Sequence, residues 1–257
     1  MKSVSSAQNP LIKQLISLQS GSRERRRENL FVIDGWKETQ LAMENGYEIQ
    51  TIYYRKGFEE WAKETGEIDK IEVAETLFDK IAYRGNTSKV VAVAKPKKHE
   101  LADLKLSAQP LLMVLDAVEK PGNLGAILRT ADAAGIDGVI VCDTATDMYN
   151  PNVIRSSVGC IFCVAVAVSS KEDCLRFLRD HKIKIYTASL KASEDYLQHD
   201  YKQPLAFVLG TEASGVDPIW EKQSHANIII PMRGQNDSLN VSNTSAILLF
   251  EALRQRM

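Results

Sequence analysis

The sequence predicts an α/β protein built in two parts, a small N-terminal α/β domain followed by a larger domain around a parallel sheet. Three observations predict it. After Pro110, apolar runs of strand length alternate with helical patterns to the end of the chain. Such β-α-β alternation implies a parallel sheet covered on both faces. Before Ala94 a shorter α/β pattern stands by itself. Between them, KPKKHELADLKLSAQP is polar and charged and carries Pro96 and Pro110, the composition of a linker. The expected boundaries are a domain at 1–98, a linker at 99–109 and a second domain at 110–257.

In the first domain, LIKQLISLQS (Leu11 to Ser20) has helical spacing of apolar residues. GSRERRREN follows, then the strand LFVID (Leu30 to Asp34). WKETQLAMENG reads as a helix stopped at Gly46, EIQTIYYR alternates as a strand, and IAYRGNTS leads into the strand KVVAVAK. In the second domain, strands are expected at Leu111–Val118, Gly138–Cys142, Ile161–Val168, Ile183–Ser189, Leu205–Leu209 and Asn227–Pro231. Helices fall between them and a last helix closes the chain. No internal repeat interrupts the pattern.

The 257 residues are 44% apolar and 25% charged, ordinary values for a soluble globular protein. The N-terminus MKSVSSAQNPLIKQL lacks the apolar core of a signal peptide. No apolar run is long enough for a membrane span, so the expected compartment is the cytoplasm. Cys160 and Cys163 form a C-x-x-C, a spacing used for zinc or redox chemistry. CIFCVAVAV reads as a strand, in which residues three apart face opposite ways, so buried free thiols and no metal are expected. Residues 1–98 hold 17 Lys and Arg against 14 Asp and Glu, and the remainder 15 against 19. That asymmetry favours an anionic partner for the N-terminal part.

Three chemically distinctive stretches sit at C-terminal ends of expected strands, where open α/β sheets bind ligands. LDAVEKPGNLGAILRTADAAG carries a glycine-containing turn into a helix, with Arg129 off the apolar stripe. Its G-x-x-G is not the dinucleotide fingerprint G-x-G-x-x-G, which argues against a nucleotide-dependent oxidoreductase. AFVLGTEASGVDP opens a buried strand onto Gly210, Thr211, Glu212 and Gly215. IIIPMRGQNDSLNVSNTSAILLF crowds Ser238, Asn240, Ser242, Asn243 and Thr244 around Leu239 and Val241. One N-cap needs one such side chain, so the surplus marks either a solvated loop or groups that face a ligand.

Taken together, PGNLGAILRTA, VLGTEASGV and IPMRGQNDSLNVSNTSAILLFE resemble the three motifs of the SpoU (TrmH) family of RNA ribose 2′-O-methyltransferases, within the SPOUT superfamily. The resemblance covers roughly residues 110–257. The N-terminal segment is similar to the substrate-binding domain that precedes this catalytic domain, a module like kink-turn-binding ribosomal proteins. NLFVIDGWKETQLAMENG resembles its start, with Asp34 where Glu is more usual.

The resemblance implies a sheet whose C-terminal segment is threaded into a deep trefoil knot. It implies S-adenosylmethionine as methyl donor, no metal, and a homodimer with its sites at the subunit interface. Arg129 would be the central catalytic residue, positioned by Asn123 and Glu212, with Ser238 and Asn240 bonding the ribose or Arg129. Guanidinium keeps its proton at accessible pH, so an electrostatic role suits Arg129 better than that of a base. Leu209, Gly210, Thr211, Gly215, Ile230, Met232, Ser238 and Leu239 would hold the cofactor. RNA is the implied partner, most naturally large-subunit ribosomal RNA. The alternatives are transfer RNA or a non-catalytic RNA-binding relative, and the intact motif residues argue against the latter. RNA phosphates need cations, and the candidates are Arg23, Arg25, Arg26, Arg27, Arg84 and Arg155.

Overall fold

The computed structural model describes residues 2–57, 65–83, 88–143, 146–192, 194–211 and 213–257. The chain divides into two compact units, one of residues 1–98 with 147–163, the other of 99–146 with 164–257. The first unit opens with β1 (Lys2–Val4), α1 (Pro10–Ser20), α2 (Ser22–Glu28), β2 (Phe31–Asp34) and α3 (Trp36–Glu44). It continues with β3 (Ile49–Arg55), β4 (Asp69–Val73), α4 (Glu75–Ile81) and β5 (Val90–Ala94). The sheet order is β1-β4-β3-β5-β2. Strand β3 runs parallel to β4 and antiparallel to β5, with a register shift between Ile49 and Thr51.

Helix α1 starts where the sequence places Asn9 and Pro10. The Asn9 side chain accepts from the Leu11 N–H at 2.9 Å, and proline's missing N–H costs nothing at a first helical position. Its Ile12, Leu15 and Leu18 recur on one face and are fully buried with Phe78 and Ile81 of α4 and Tyr53, Ile71 and Val91 of the sheet. The sequence reading assigns no element to 69–81, where β4 and α4 lie.

The second unit is built on β6 (Leu111–Asp116), α5 (Pro121–Ala134) and β7 (Gly138–Cys142). The chain then passes through 147–163, which carries α6 (Pro151–Ser156) and belongs to the first unit. It resumes with β8 (Val166–Ser169), α7 (Lys171–Asp180), β9 (Lys184–Ala188), β10 (Glu194–Asp195) and β11 (Leu205–Leu209). It ends with α8 (Pro218–Gln223), β12 (Ala226–Ile229) and α9 (Val241–Arg256). The seven strands are ordered β10-β12-β9-β11-β6-β7-β8 and every pairing is parallel. β6, β7 and β11 are buried along their whole length, as strands covered on both faces must be. The C-terminus is clasped to this sheet. Arg256 donates to the carbonyls of Tyr201 at 2.8 Å, Gln109 at 2.7 Å, Gln203 at 2.8 Å and Pro110 at 3.4 Å, so one guanidinium reaches four backbone oxygens.

The expected strand Ile161–Val168 is corrected. Cys160–Phe162 forms a single 3-10 turn, and the strand begins only at Val166. The apolar residues before it are buried by aromatic packing within the first unit. Phe31 stacks on Tyr149 at 4.2 Å between centroids, and Phe162 meets Tyr47 edge-on at 5.0 Å. The cysteine expectation changes with it. Cys142, Cys160 and Cys174 are buried free thiols, whereas Cys163 is exposed.

Arg25 is also corrected as an RNA-facing residue. It is 5% exposed, its Nε pairs with Asp147 at 2.6 Å, and its Nη1 donates to the carbonyls of Leu18 and Gln19. It therefore holds the 147–163 segment to α1 and α2. Removing one partner of a buried pair leaves the other uncompensated. Arg25→Met should cost about 3 kcal/mol of stability, while Arg26→Met, at an exposed position, should cost about 0.5 kcal/mol or less. Urea unfolding of the two variants measures the difference.

Candidate active site

The site gathers at the C-terminal ends of β6, β11 and β12. Each strand feeds a loop whose shape follows from its sequence. After Leu209 the chain makes a tight loop closed by paired backbone bonds, Thr211 N to Gly215 O at 2.9 Å and Gly215 N to Thr211 O at 3.0 Å. The Thr211 and Ser214 hydroxyls bond at 2.7 Å across its mouth. This return brings Gly215 and Val216 directly over Gly210. A Cβ on Gly210 would lie 2.1 Å from the Gly215 carbonyl oxygen, an impossible approach. Gly215 itself has φ +71°, a conformation that glycine adopts without strain.

The next turn is fixed by charge. The buried carboxylate of Asp116, at the end of β6, accepts from the Asp217 N–H at 2.6 Å. Asp217 in turn caps α8 through Ile219 N and takes the Lys171 ammonium at 2.6 Å. That ammonium, followed by the cap bond, holds the Asp217 carboxyl below its ordinary pKa. The loops after β6 and β11 are thereby joined.

After β12 the polar tract reaches Asn240, the N-cap of α9. Its Oδ1 accepts from the Ser242 N–H at 2.9 Å and the Ser242 hydroxyl at 2.6 Å. Its Nδ2 donates to Asn123 Oδ1 at 3.2 Å, in the first turn of α5. One amide thus caps a helix and bridges two motif loops. Ser245, further along α9, is buried and bonds the Ser242 carbonyl at 2.7 Å. Arg129 lies on the exposed side of α5 and has no ion-pair partner among the described residues. Glu212 lies outside the described residues.

Between these loops is a cavity of about 340 Å³, within the size range of small-molecule sites, roughly 300–1,000 Å³. Leu209, Gly210, Thr211 and Gly215 line it from the β11 side, and Ile230, Met232, Ser238 and Leu239 from the β12 side. Leu239 and Val241, on either side of Asn240 in the chain, line the cavity, whereas Asn240 itself does not and bonds Asn123 instead. The sequence reading missed a third wall, Ser189, Leu190 and Lys191 after β9, together with Glu221 of α8. Glu221 is held by the Ser189 hydroxyl at 2.6 Å. The position of β9 between β11 and β12 is the signal that locates this wall. It is absent from the linear sequence.

The chemistry of the cavity suits S-adenosylmethionine. Apolar walls accept an adenine ring, the Thr211, Ser214 and Ser238 side chains offer polar groups, and Glu221 and Asp237 bring acidic side chains toward a cationic ligand. Arg23 and Arg26 on α2 are exposed, as is Arg155 on α6. Arg27 is exposed but paired with Glu24 and Glu28. Arg84 lies outside the described residues.

A family model described as the SpoU rRNA Methylase family matches residues 110–250. The chain belongs to this family. A second model, an MRM3-like substrate binding domain, matches residues 9–92. Among curated relatives, a 23S rRNA (uridine(2479)-2′-O)-methyltransferase from Streptomyces viridochromogenes is 29% identical over 98% of this chain and 92% of its own length. The 23S rRNA (guanosine-2′-O-)-methyltransferase RlmB of Vibrio vulnificus is 38% identical over 71% of this chain and 76% of its own. A solved AdoMet-bound rRNA methyltransferase from Sinorhizobium meliloti is 32% identical with a TM-score of 0.91, covering 100% of this chain and 98% of that one.

Because the loop passes directly over Gly210, Gly210→Ala should force the loop off the strand end. The expected loss is about 2 kcal/mol of stability from overpacking, together with loss of S-adenosylmethionine binding. Titration calorimetry and urea unfolding on the same preparation read the two effects. Retained affinity would place the cofactor elsewhere.

Proposed function

We propose that this SpoU-family chain transfers the methyl group of S-adenosylmethionine to a ribose 2′-hydroxyl of large-subunit ribosomal RNA. The observation that carries this is the cavity between the β11 and β12 loops, whose lining includes residues of the second and third motifs. Full-length likeness to an AdoMet-bound rRNA methyltransferase supports the same reading.

When bound, the cofactor supplies a methyl group on a sulfonium, already electrophilic. The protein's task is alignment of the hydroxyl and stabilisation of the charge that develops on its oxygen. Leu209, Ile230 and Leu239 would pack the adenosine, Gly210 and Met232 would meet it through their backbones, and Thr211 and Gly215, whose N–H groups bond each other's carbonyls, would hold the loop against it. Arg129, exposed and permanently charged, would hold the target phosphate or the developing oxyanion. Asn123 and Asn240 hold each other and so join the first and third motif segments. Ser238, which donates to Asp237 at 3.0 Å, would reach the ribose. Glu212 completes the set by resemblance.

On the RNA side, Arg23, Arg26 and Arg155 are open to phosphates, with Arg27 and Arg84 as further members. The resemblance extends to a trefoil-knotted C-terminal segment and a homodimer through the catalytic domain. No described helix is long and apolar enough to cross a membrane, which fits a cytoplasmic site of action on ribosomal RNA.

The test offers tritium-labelled S-adenosylmethionine to bulk ribosomal RNA and transfer RNA from a strain lacking this gene. Label in ribosomal RNA, at a linkage resistant to alkali, is the expected result. Label confined to transfer RNA overturns the substrate. Asn240 needs a variant that separates its two tasks, since Asn240→Ala also removes a cap worth about 1 kcal/mol. Asn240→Asp keeps the capping acceptor and loses the amide donor to Asn123. It should lower methyl transfer at least about ten-fold, the scale of one misaligned catalytic contact, with an unchanged thermal midpoint. Full activity would remove Asn240 from the catalytic set.

A further inference from the structure

Tyr83 itself has no role in the reaction as described. Tyr83 lies two residues past the end of α4 and is 51% exposed. The Arg155 guanidinium lies over its ring, 5.6 Å from the centroid. Both belong to the first unit, although 72 positions of sequence separate them. The arrangement is held from both sides. Arg155 donates to Asn152 Oδ1 at 3.0 Å, and α6 beneath it is capped by Asn150, whose Oδ1 accepts from Asn152 N at 2.8 Å. On the other side the Gln19 amide donates to the Ile81 carbonyl, tying the end of α4 to the end of α1. Val32, Asp34, Pro151 and Ile154 border a shallow recess beside the pair.

An exposed tyrosine with a guanidinium across one face has the chemistry of a nucleobase stack. Unpaired bases stack on aromatic rings and on the guanidinium plane, and the arginine also meets the neighbouring phosphate. The charge around it fits that ligand, because α1 is followed at once by α2 with its exposed Arg23 and Arg26. A duplex keeps its bases stacked on one another and leaves none free for the ring. We propose that Tyr83 and Arg155 form a stacking platform for one unpaired base of the RNA substrate. This deepens the functional reading and rests on it for the choice of RNA as the ligand.

The test uses the full chain without methyl donor and two probes: an oligouridylate carrying a single 4-thiouridine, and the same oligomer annealed to oligoadenylate. Irradiation followed by mass spectrometry should place the adduct of the single strand on Tyr83 or Arg155. Tyr83→Ala should weaken single-strand binding about ten-fold, the range measured for loss of one base–aromatic stack. Tyr83→Phe keeps the ring and should bind like the parent, and duplex binding should be the same for all three chains. Adducts only elsewhere, or equal single-strand affinity for Tyr83→Ala, overturn the platform. So does a parent chain that binds the duplex as well as the single strand. The cross-link on the parent chain decides the matter even where a variant folds poorly. Methyl transfer is read separately: an adduct at Tyr83 with no transfer to ribosomal RNA sinks the activity and leaves the platform. Transfer without that adduct sinks the platform alone.

Discussion

The return of the chain over Gly210 is the constraint on which the candidate site depends. A strand end normally needs room for side chains, yet here the Gly215 carbonyl and the Val216 nitrogen occupy the place of a Cβ. Only glycine allows that approach, and the approach turns the loop into a wall of the cavity. The buried Asp116 carboxylate then holds Asp217 N–H, so the loop cannot relax outward without leaving a buried charge unpaired. Backbone sterics and one buried acceptor thus shape the site before any catalytic side chain is considered.

The polar tract after β12 has a related logic. Ser238 through Thr244 look excessive for a helix cap, and capping indeed uses only Asn240 and Ser242. The amide of Asn240 is bifunctional, since its oxygen serves α9 and its nitrogen serves Asn123. Serine or aspartate would cap equally well, but neither offers a donor and an acceptor on opposite sides of one planar group. The choice of Asn at this N-cap therefore follows from the bridge to α5. Leu239 and Val241, either side of it, face the cavity, so the same short segment also supplies apolar wall.

Much of this was legible in the sequence. β6, β7 and β11 are short apolar runs between turn signals, and a fully buried parallel strand has to look like that. The eight residues from Leu209 to Leu239 named for the cofactor lie in motifs at strand ends, and all of them line the cavity. What escaped was set by distant contacts. CIF reads as strand because it is apolar, but it is buried by Phe31 and Tyr47, over a hundred positions earlier. Arg25 looks like its neighbours Arg23 and Arg26 until Asp147, 122 positions away, takes it inside. The wall after β9 carries no motif, because its place comes from strand order alone.

The separation into two units also bears on what the catalytic motifs can select. The reacting group is a ribose hydroxyl, common to every nucleotide. Residues that align it have no cause to distinguish one base from another. The names of two relatives fit this: the Streptomyces viridochromogenes protein is named for a uridine and one from Bacillus subtilis for a guanosine, and the two matches span 98% and 97% of this chain at 29% identity. Conserving the ribose chemistry while changing the base requires that base and site be read by surfaces outside the cofactor cavity. The proposed Tyr83–Arg155 platform and the exposed Arg23 and Arg26 lie in the first unit, outside that cavity. The 147–163 segment ties the two tasks together in one polypeptide. It is encoded inside the methylase match, yet it folds with the N-terminal residues and carries Arg155 there.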